Sequence, residues 1–135
     1  MMTPAVDLQK AIFATLTGDA TLTGLLGGQR VYDHAPPSAA FPYITFGRTS
    51  LFDWSTGTER GCEQLLTLHV WSKAKGKKET LDLLGRVQHL LDGQQLALDD
   101  HDLVNLRQEF AEARHDDDLS LYHGLARFRA VVEEN

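Results

Sequence analysis

Residues 62–72, with the sequence CEQLLTLHVWS, carry apolar side chains at both even-numbered and odd-numbered positions. One parity includes Leu66 and Val70, and the other includes Leu65 and Trp71. Because alternate side chains of a strand point to opposite faces of its sheet, both faces of this strand are partly apolar. We therefore predict a central strand that is covered on both sides.

Two amphipathic helices are predicted to provide cover. The first is capped by Thr3, has Pro4 at its first position and ends at Gly18, and its apolar residues recur at spacings of three and four. The second runs over residues 76–92, and Gly93 is suited to a left-handed stop. Both helices are typical of elements that pack one face against a sheet.

The remaining segments predict short strands and one long loop. A capped turn begins at Asp19, and β-type runs occupy residues 30–32 and 41–47. Residues 48–61 are predicted to form a polar loop, and residues 96–98 a short strand or sheet edge.

The last third of the chain predicts a hairpin. Residues 103–114 and 119–132 are two β-type runs joined by the polar segment 115–118. Small residues at Gly124 and Ala126 indicate that a helix packs closely over one face of the last strand. We therefore predict one α+β domain that spans residues 1–135, with two main helices on one face of a mainly antiparallel sheet.

The charge and cysteine content exclude several functional classes. The chain has 13 Lys and Arg residues against 19 Asp and Glu residues, for a net charge of -6. Its clustered lysines (Lys73, Lys75, Lys77 and Lys78) are predicted to form a solvated turn, so tight phosphate binding is not expected. One cysteine excludes an intrachain disulfide, which fits a reducing compartment. No apolar run approaches the roughly 20 residues of a membrane span, and we expect no signal peptide.

No catalytic, metal or cofactor motif is present at a recognised spacing. The acidic segment around His115 lacks the alternation of a calcium loop, and Cys62 has no nucleophile signature around it. We therefore predict a protein that is not an enzyme and needs no cofactor or metal. The alternatives are a small α+β enzyme or ligand-binding domain that uses His69, His101 or His123, and a stand-alone protein–protein adaptor.

The predicted 48–61 loop carries the best candidate contact residues. Its large apolar side chains are Leu51, Phe52 and Trp54, and Asp53 and Arg60 lie among them. Apolar residues in an exposed polar loop are typical of contact anchors. The alternative is that Trp54 folds back onto the core of its own chain.

The motifs of the chain, taken in order, resemble one family. They are RVYDHAPPSAAFPYITFG, DWST, LTLHVWS, a helix that begins after GKKE, LVNLRQEFAEARHD and YHGLARFRAVVEE. In this order they are similar to the tail-completion, or tail terminator and head–tail joining, proteins of long-tailed phages and bacterial gene transfer agents. The similarity extends from Thr3 to Glu133 and favours the gene-transfer-agent branch.

The resemblance implies structural work in a particle. Such proteins form a ring, typically of six subunits, on the last ring of the tail tube. The ring stops tube polymerisation and joins the tail to a neck or stopper protein below the capsid, and DNA passes through its lumen without specific binding. The implied location is the neck–tail junction of a virion or gene transfer agent particle, with assembly in the host cytoplasm and no membrane partner.

The resemblance also implies contact residues. The five side chains named in the 48–61 loop are expected to touch a neighbouring subunit or the tail tube. Asp116 and Asp117 in the hairpin turn are expected to reach a neck or tube partner. Arg127 and Arg129, on the non-core face of the last strand, are expected to pair with glutamates of the preceding strand or with a neighbour's carboxylates.

Overall fold

The computed structural model describes residues 2–53, 57 and 60–134, which form one sheet with helices packed on it. The five strands lie in the order β1-β2-β3-β5-β4, and every pair is antiparallel except β1 with β2. This arrangement confirms the predicted α+β class and the mainly antiparallel sheet. The elements are α1 (Pro4–Thr17), α2 (Ala20–Leu26), β1 (Val31–Tyr32), β2 (Tyr43–Asp53), β3 (Gly61–Ser72), α3 (Lys78–Leu91), β4 (His101–Asp116) and β5 (Leu121–Glu134).

The helix termini are specified by local hydrogen bonds. The Thr3 hydroxyl accepts from the backbone N–H of Val6, and Asp19 accepts from that of Leu22 at 2.8 Å. Gly27 ends α2 at a φ of 82°, a left-handed conformation that glycine adopts without steric cost. The predicted starts of the first helix and of the capped turn are therefore confirmed.

All the described helices bury their apolar stripes against one face of the sheet. That face includes Leu68 on β3 and Phe128 on β5, and both are fully buried. Ile12 on α1 and Val87 on α3 are buried in the same cluster. The predicted layer of helices therefore lies on this face.

The prediction that the central strand is covered on both sides is wrong for one side. β3 is central, and Leu66 and Val70 are buried under the helices. The opposite parity, which includes Leu65 and Trp71, is only half-buried. Its side chains cover one another across neighbouring strands, so the apolar character of this face does not require a second layer. We call this surface the open face.

The predicted 48–61 loop is also wrong in its first part, because residues 48–53 extend β2. Ser50 pairs with Leu65 and Phe52 with Glu63, after a register shift that follows Phe46. Such a bulge lets a strand continue beyond an irregular position. Gly47 lies at the bulge, where an added β-carbon would overlap the ring of His69, so this glycine accommodates packing and does not end the strand.

Residues 96–98 do not form the predicted strand. They belong to an extended connection between α3 and β4, with Leu96 and Leu98 packed against the core. The hairpin itself is confirmed, but its turn lies at residues 117–120, because β4 extends to Asp116.

Candidate interaction surfaces

The open face contains a shallow groove that crosses the four long strands. The groove has a volume of about 550 Å³. Arg48 and Ser50 line it on β2, Thr67 on β3, Arg127 on β5 and Glu109 on β4. The surface therefore combines both signs of charge with short polar side chains.

One end of the open face holds a stack of three rings. His69 Nδ1 lies 2.7 Å from His123 Nε2, and the rings of His123 and Trp71 are parallel, with centroids 4.2 Å apart. The indole N–H of Trp71 donates to the Thr45 hydroxyl at 3.0 Å. The sequence places His69 and His123 far apart, and only the pairing of β3 with β5 brings them together.

Burial lowers the pKa of both histidines of this stack. Desolvation is the cause at His69 and the largest cause at His123, where the charges of His69 and Arg114 lower the pKa further. The contact between the two rings requires one of them to donate and the other to accept, so a neutral pair satisfies it. Protonation of both rings would place two like charges in hydrogen-bond contact.

The three candidate catalytic histidines do not converge. His101 begins β4 at the opposite end of the sheet, where it pairs with Glu134. It is buried, and its Nδ1 lies 2.8 Å from a carboxylate oxygen of buried Asp7. Within the described residues, no group of three or more His, Cys, Asp or Glu side chains is arranged to hold a metal ion.

Asp7 ties the first helix to the start of β4. Its carboxylate accepts from the backbone N–H groups of Asp99 and Asp100 at 2.9 and 2.8 Å, and it also contacts His101. Burial alone raises the pKa of Asp7, but these hydrogen bonds outweigh burial and hold the pKa below its usual range. This network satisfies a buried charge and positions the connection that precedes β4.

The end of β2 presents the predicted contact residues, as far as the structure describes them. Leu51 and Phe52 are 55% and 50% exposed. Leu51, Asp53 and Arg60 line one pocket of about 390 Å³, whereas Phe52 is not among its lining residues. Trp54, which was predicted either to make contacts or to fold back onto the core, lies outside the described residues.

The hairpin turn presents Asp116 and Asp117 in different settings. Asp116 accepts from the backbone N–H of Leu119 at 3.0 Å, which stabilises the turn locally. Asp117 lies 2.6 Å from His115 Nδ1, and its side chain is 95% exposed. Leu119 is also exposed, so the turn offers both apolar and acidic contact groups.

The arginines of β5 have partners within the chain that the sequence did not predict. Arg129 pairs with Glu63 on β3 at 2.6 Å, because β3 lies beside β5 on the side away from β4. Arg127 lies over the ring of Phe110, 5.4 Å from its centroid. The Glu63 hydrogen bond raises the pKa of Arg129, and the charge of Glu109 on β4 raises it further, so the contact with Glu63 adds to the predicted glutamates and does not exclude them.

No described helix has the length and apolar character that a membrane crossing requires.

Comparison with known proteins shows similarity to a protein family and to solved structures. A family model described as "Tail completion protein gp17" matches residues 10–133. A chain of a solved structure titled "Virion of native gene transfer agent (GTA) particle" is 30% identical, with a TM-score of 0.88. That similarity covers 98% of this chain and 99% of the other. None of the curated proteins matches the chain.

Proposed function

Because this chain belongs to the tail completion protein gp17 family, we propose that it closes into a ring at the head-proximal end of a tail tube. The ring stops tube polymerisation, joins the tail to a neck protein and lets DNA pass through its lumen. The supporting observation is the similarity to the gene transfer agent chain, which extends over 98% of this chain at a TM-score of 0.88.

The particle in this proposal is a gene transfer agent or a related phage, and the ring has six subunits. A closed ring requires two different surfaces on each subunit, so that the front of one copy meets the back of the next. Exposed Leu51 and Phe52 at the end of β2, and exposed Phe110 and Leu119 towards the other edge of the sheet, are candidates for such surfaces.

The net charge of the chain supports a lumen through which DNA passes without being bound tightly. A net charge of -6 repels phosphate at short range, and the open face mixes Arg48 and Arg127 with Glu109 instead of forming a basic stripe. DNA can then slide through the ring without being gripped. The proposal assigns no catalytic role to the histidines, since His69 and His123 stack on each other at a distance from His101.

Deletion of the gene, followed by electron microscopy of the particles, tests this function. We expect tails of irregular length and heads without tails, and both should be corrected when the gene is supplied in trans. The purified chain, or the chain recovered with tail tubes, should show rings with a central hole. Particles that keep tails of uniform length joined to heads without this protein would contradict the proposal.

A further inference from the structure

Two stretches of strand edge lie open at diagonally opposite corners of the sheet. β1 covers β2 only at Ile44 and Thr45. From Phe46 to Phe52, no strand of the described residues lies on the outer side of β2. β4 forms the other edge of the sheet, and only the first half of its outer side is covered.

The cover on β4 comes from the segment that follows α3. The backbone N–H of Gly93 donates to Leu106 O at 2.8 Å, and that of Gln108 donates to Asp92 Oδ1 at 2.9 Å. These bonds identify Leu106 and Gln108 as residues whose backbone groups point away from β5. Beyond Gln108, no strand of the part of the chain that the structure describes lies along this edge.

The pairing of β4 with β5 shows which residues in the open half of β4 have the same orientation. Leu106, Gln108, Ala111 and Ala113 all pair with even-numbered residues of β5. In an antiparallel pair, residues of one parity bond to the partner strand and those of the other parity point outward. The backbone N–H and C=O groups of Ala111 and Ala113 therefore point away from β5.

The uncovered part of β2 also has backbone groups that point outward. The N–H of Ile44 donates outward to Arg30 O at 2.9 Å. Like Ile44, the residues Phe46, Thr49 and Leu51 pair with even-numbered residues of β3. Thr49 and Leu51 therefore present outward backbone groups on the uncovered part of β2.

Strand direction makes the two open edges compatible. Because β2, β3, β5 and β4 alternate in direction, β4 runs antiparallel to β2 across the sheet. A second copy that keeps the same orientation would place its β4 antiparallel to this β2. The open edges lie level with different parts of β3, so the copies would be staggered along the strands, as closure of a tilted sheet into a ring requires.

The side chains at the two edges are also complementary. Ala111 and Ala113 belong to the parity that faces the helices, and they are the small side chains of the open half of β4. Beside the edge of β2 lies a groove of about 460 Å³ that Val6, Phe13 and Phe46 line with apolar atoms. Small alanines on an added strand fit such a shallow groove.

We propose that neighbouring copies of this chain join by strand addition, in which the edge of β4 over residues 110–116 pairs with the edge of β2 over residues 46–52 of the next copy. This inference rests on the proposed ring, and it specifies how the ring closes. The contact is heterologous, because each copy offers β4 on one side and β2 on the other, so it can repeat around an axis. It also explains why exposed strand edges persist in the sheet, since each edge is covered after assembly.

A proline at position 113 tests the strand addition. Proline lacks the N–H group, and the N–H of Ala113 points outward, so Ala113→Pro leaves the bonds between β4 and β5 intact. We expect an unfolding midpoint close to that of the wild type and at least about tenfold weaker ring formation and tail joining. Ala113→Ser keeps the N–H and should behave as the wild type. Normal ring formation by a folded Ala113→Pro protein would overturn the inference.

Cross-linking in assembled particles tests the same contact without proline. In a Cys62→Ser background, particles that contain both Thr49→Cys and Ala113→Cys copies are treated with a flexible bismaleimide. We expect cross-links between copies when the two substitutions occur in one chain, or in a mixture of two singly substituted chains, and not with either substitution alone. Dimers from Ala113→Cys alone would indicate a two-fold contact between β4 strands and would overturn the inference.

The outcomes separate this inference from the proposed function. Particles that assemble with joined tails but give no cross-link between positions 49 and 113 would contradict strand addition and leave the ring function intact. Particles whose tails are complete in the absence of the protein would contradict the ring function itself.

Discussion

Gly124 on β5 lies directly beneath Thr80 on α3. A β-carbon on Gly124 would come within 2.7 Å of Thr80 Cγ2 and within 3.2 Å of both Leu84 Cδ1 and Val70 Cβ. The absence of a side chain at Gly124 lets α3 lie close to β3 and β5, on the face of the sheet opposite the open face.

Substitution of Gly124 by alanine should destabilise the fold. The neighbours are a β-branched side chain on the helix and the backbone-proximal Cβ of Val70, so they have little freedom to move. We expect Gly124→Ala to lower the free energy of unfolding by about 1–3 kcal/mol, the usual cost of an overpacked core. Urea denaturation of the purified protein measures this change.

Gly85 on α3 is the matched control for that substitution. Nothing lies within 4 Å of an added β-carbon there. Because alanine is favoured over glycine inside a helix, Gly85→Ala should raise the free energy of unfolding by about 0.5–1 kcal/mol. The two alanine substitutions are thus expected to have opposite signs, and a Gly124→Ala protein as stable as the wild type would show that α3 is not in close contact with β5.

Asp19 joins α2 to α3 through Arg86. It accepts from Arg86 Nε at 2.9 Å and Nη2 at 2.8 Å, and also from the backbone N–H of Leu22. The Arg86 hydrogen bond is the largest influence and lowers the pKa of Asp19 to about 2, although burial opposes it. Since the folded pKa is below the unfolded value, the stabilisation is present above about pH 4 and is lost as the pH falls towards about 2.

Substitution of Asp19 tests this link between the helices. We expect Asp19→Ala to cost about 1–2 kcal/mol at neutral pH, from the lost cap and the lost partner of Arg86, and to cost less near pH 2. Asp19→Asn retains the capping oxygen and should cost less than Asp19→Ala at neutral pH. Thermal unfolding as a function of pH measures both, and an equal cost at both pH values would contradict the ionic contribution.

Most of the fold could be predicted because its signals are local. The caps at Thr3 and Asp19, the end of α1 at Gly18 and the alternation in β3 each depend on a few adjacent residues. The small residues of β5 also predicted a close helix, and Gly124 shows the contact. The family resemblance added the class of protein, which the physical chemistry of the residues alone did not reach.

The errors and omissions arose where a distant partner decides the structure. Gly47 has the sequence character of a strand end, but β3 continues alongside, and the ring of His69 occupies the place of its β-carbon. The pairing of Arg129 with Glu63 depends on strand order, because β5 lies between β3 and β4. The stack of His69 on His123 has the same origin, and no spacing within one strand could reveal it.

The histidine stack should make stability depend on pH. Burial lowers the pKa of His69 and His123, Arg114 lowers that of His123 further, and Asp116 and Glu112 oppose this at His123. The unfolded chain therefore binds protons more readily than the folded one as the pH falls below about 6.5. Stability is full above that value and should decline below it.

His123→Gln is expected to weaken this decline, because it removes one of the two histidines whose pKa is lowered in the folded state. Urea denaturation at several pH values between about 5 and 8 measures the slope. His34→Gln is the matched control, since His34 is exposed, and it should leave the slope unchanged. A wild-type slope in the His123→Gln protein would show that the stack does not control the pH dependence.

The end of β2 should be required for assembly and not for folding. Leu51 and Phe52 are exposed, so Leu51→Ser and Phe52→Ser should change the free energy of unfolding by less than about 0.5 kcal/mol. If these side chains contact a neighbouring subunit or the tail tube, each substitution should reduce tail joining by about tenfold or more, as expected for a buried contact residue. Leu81→Ser on α3 is the control of matched exposure, and it should join tails normally. Trp54→Ala and Asp53→Ala extend the test to the adjacent residues named from the sequence. Counts of joined particles by electron microscopy give the readout, and normal joining by all four variants would show that this end of β2 is not a contact surface.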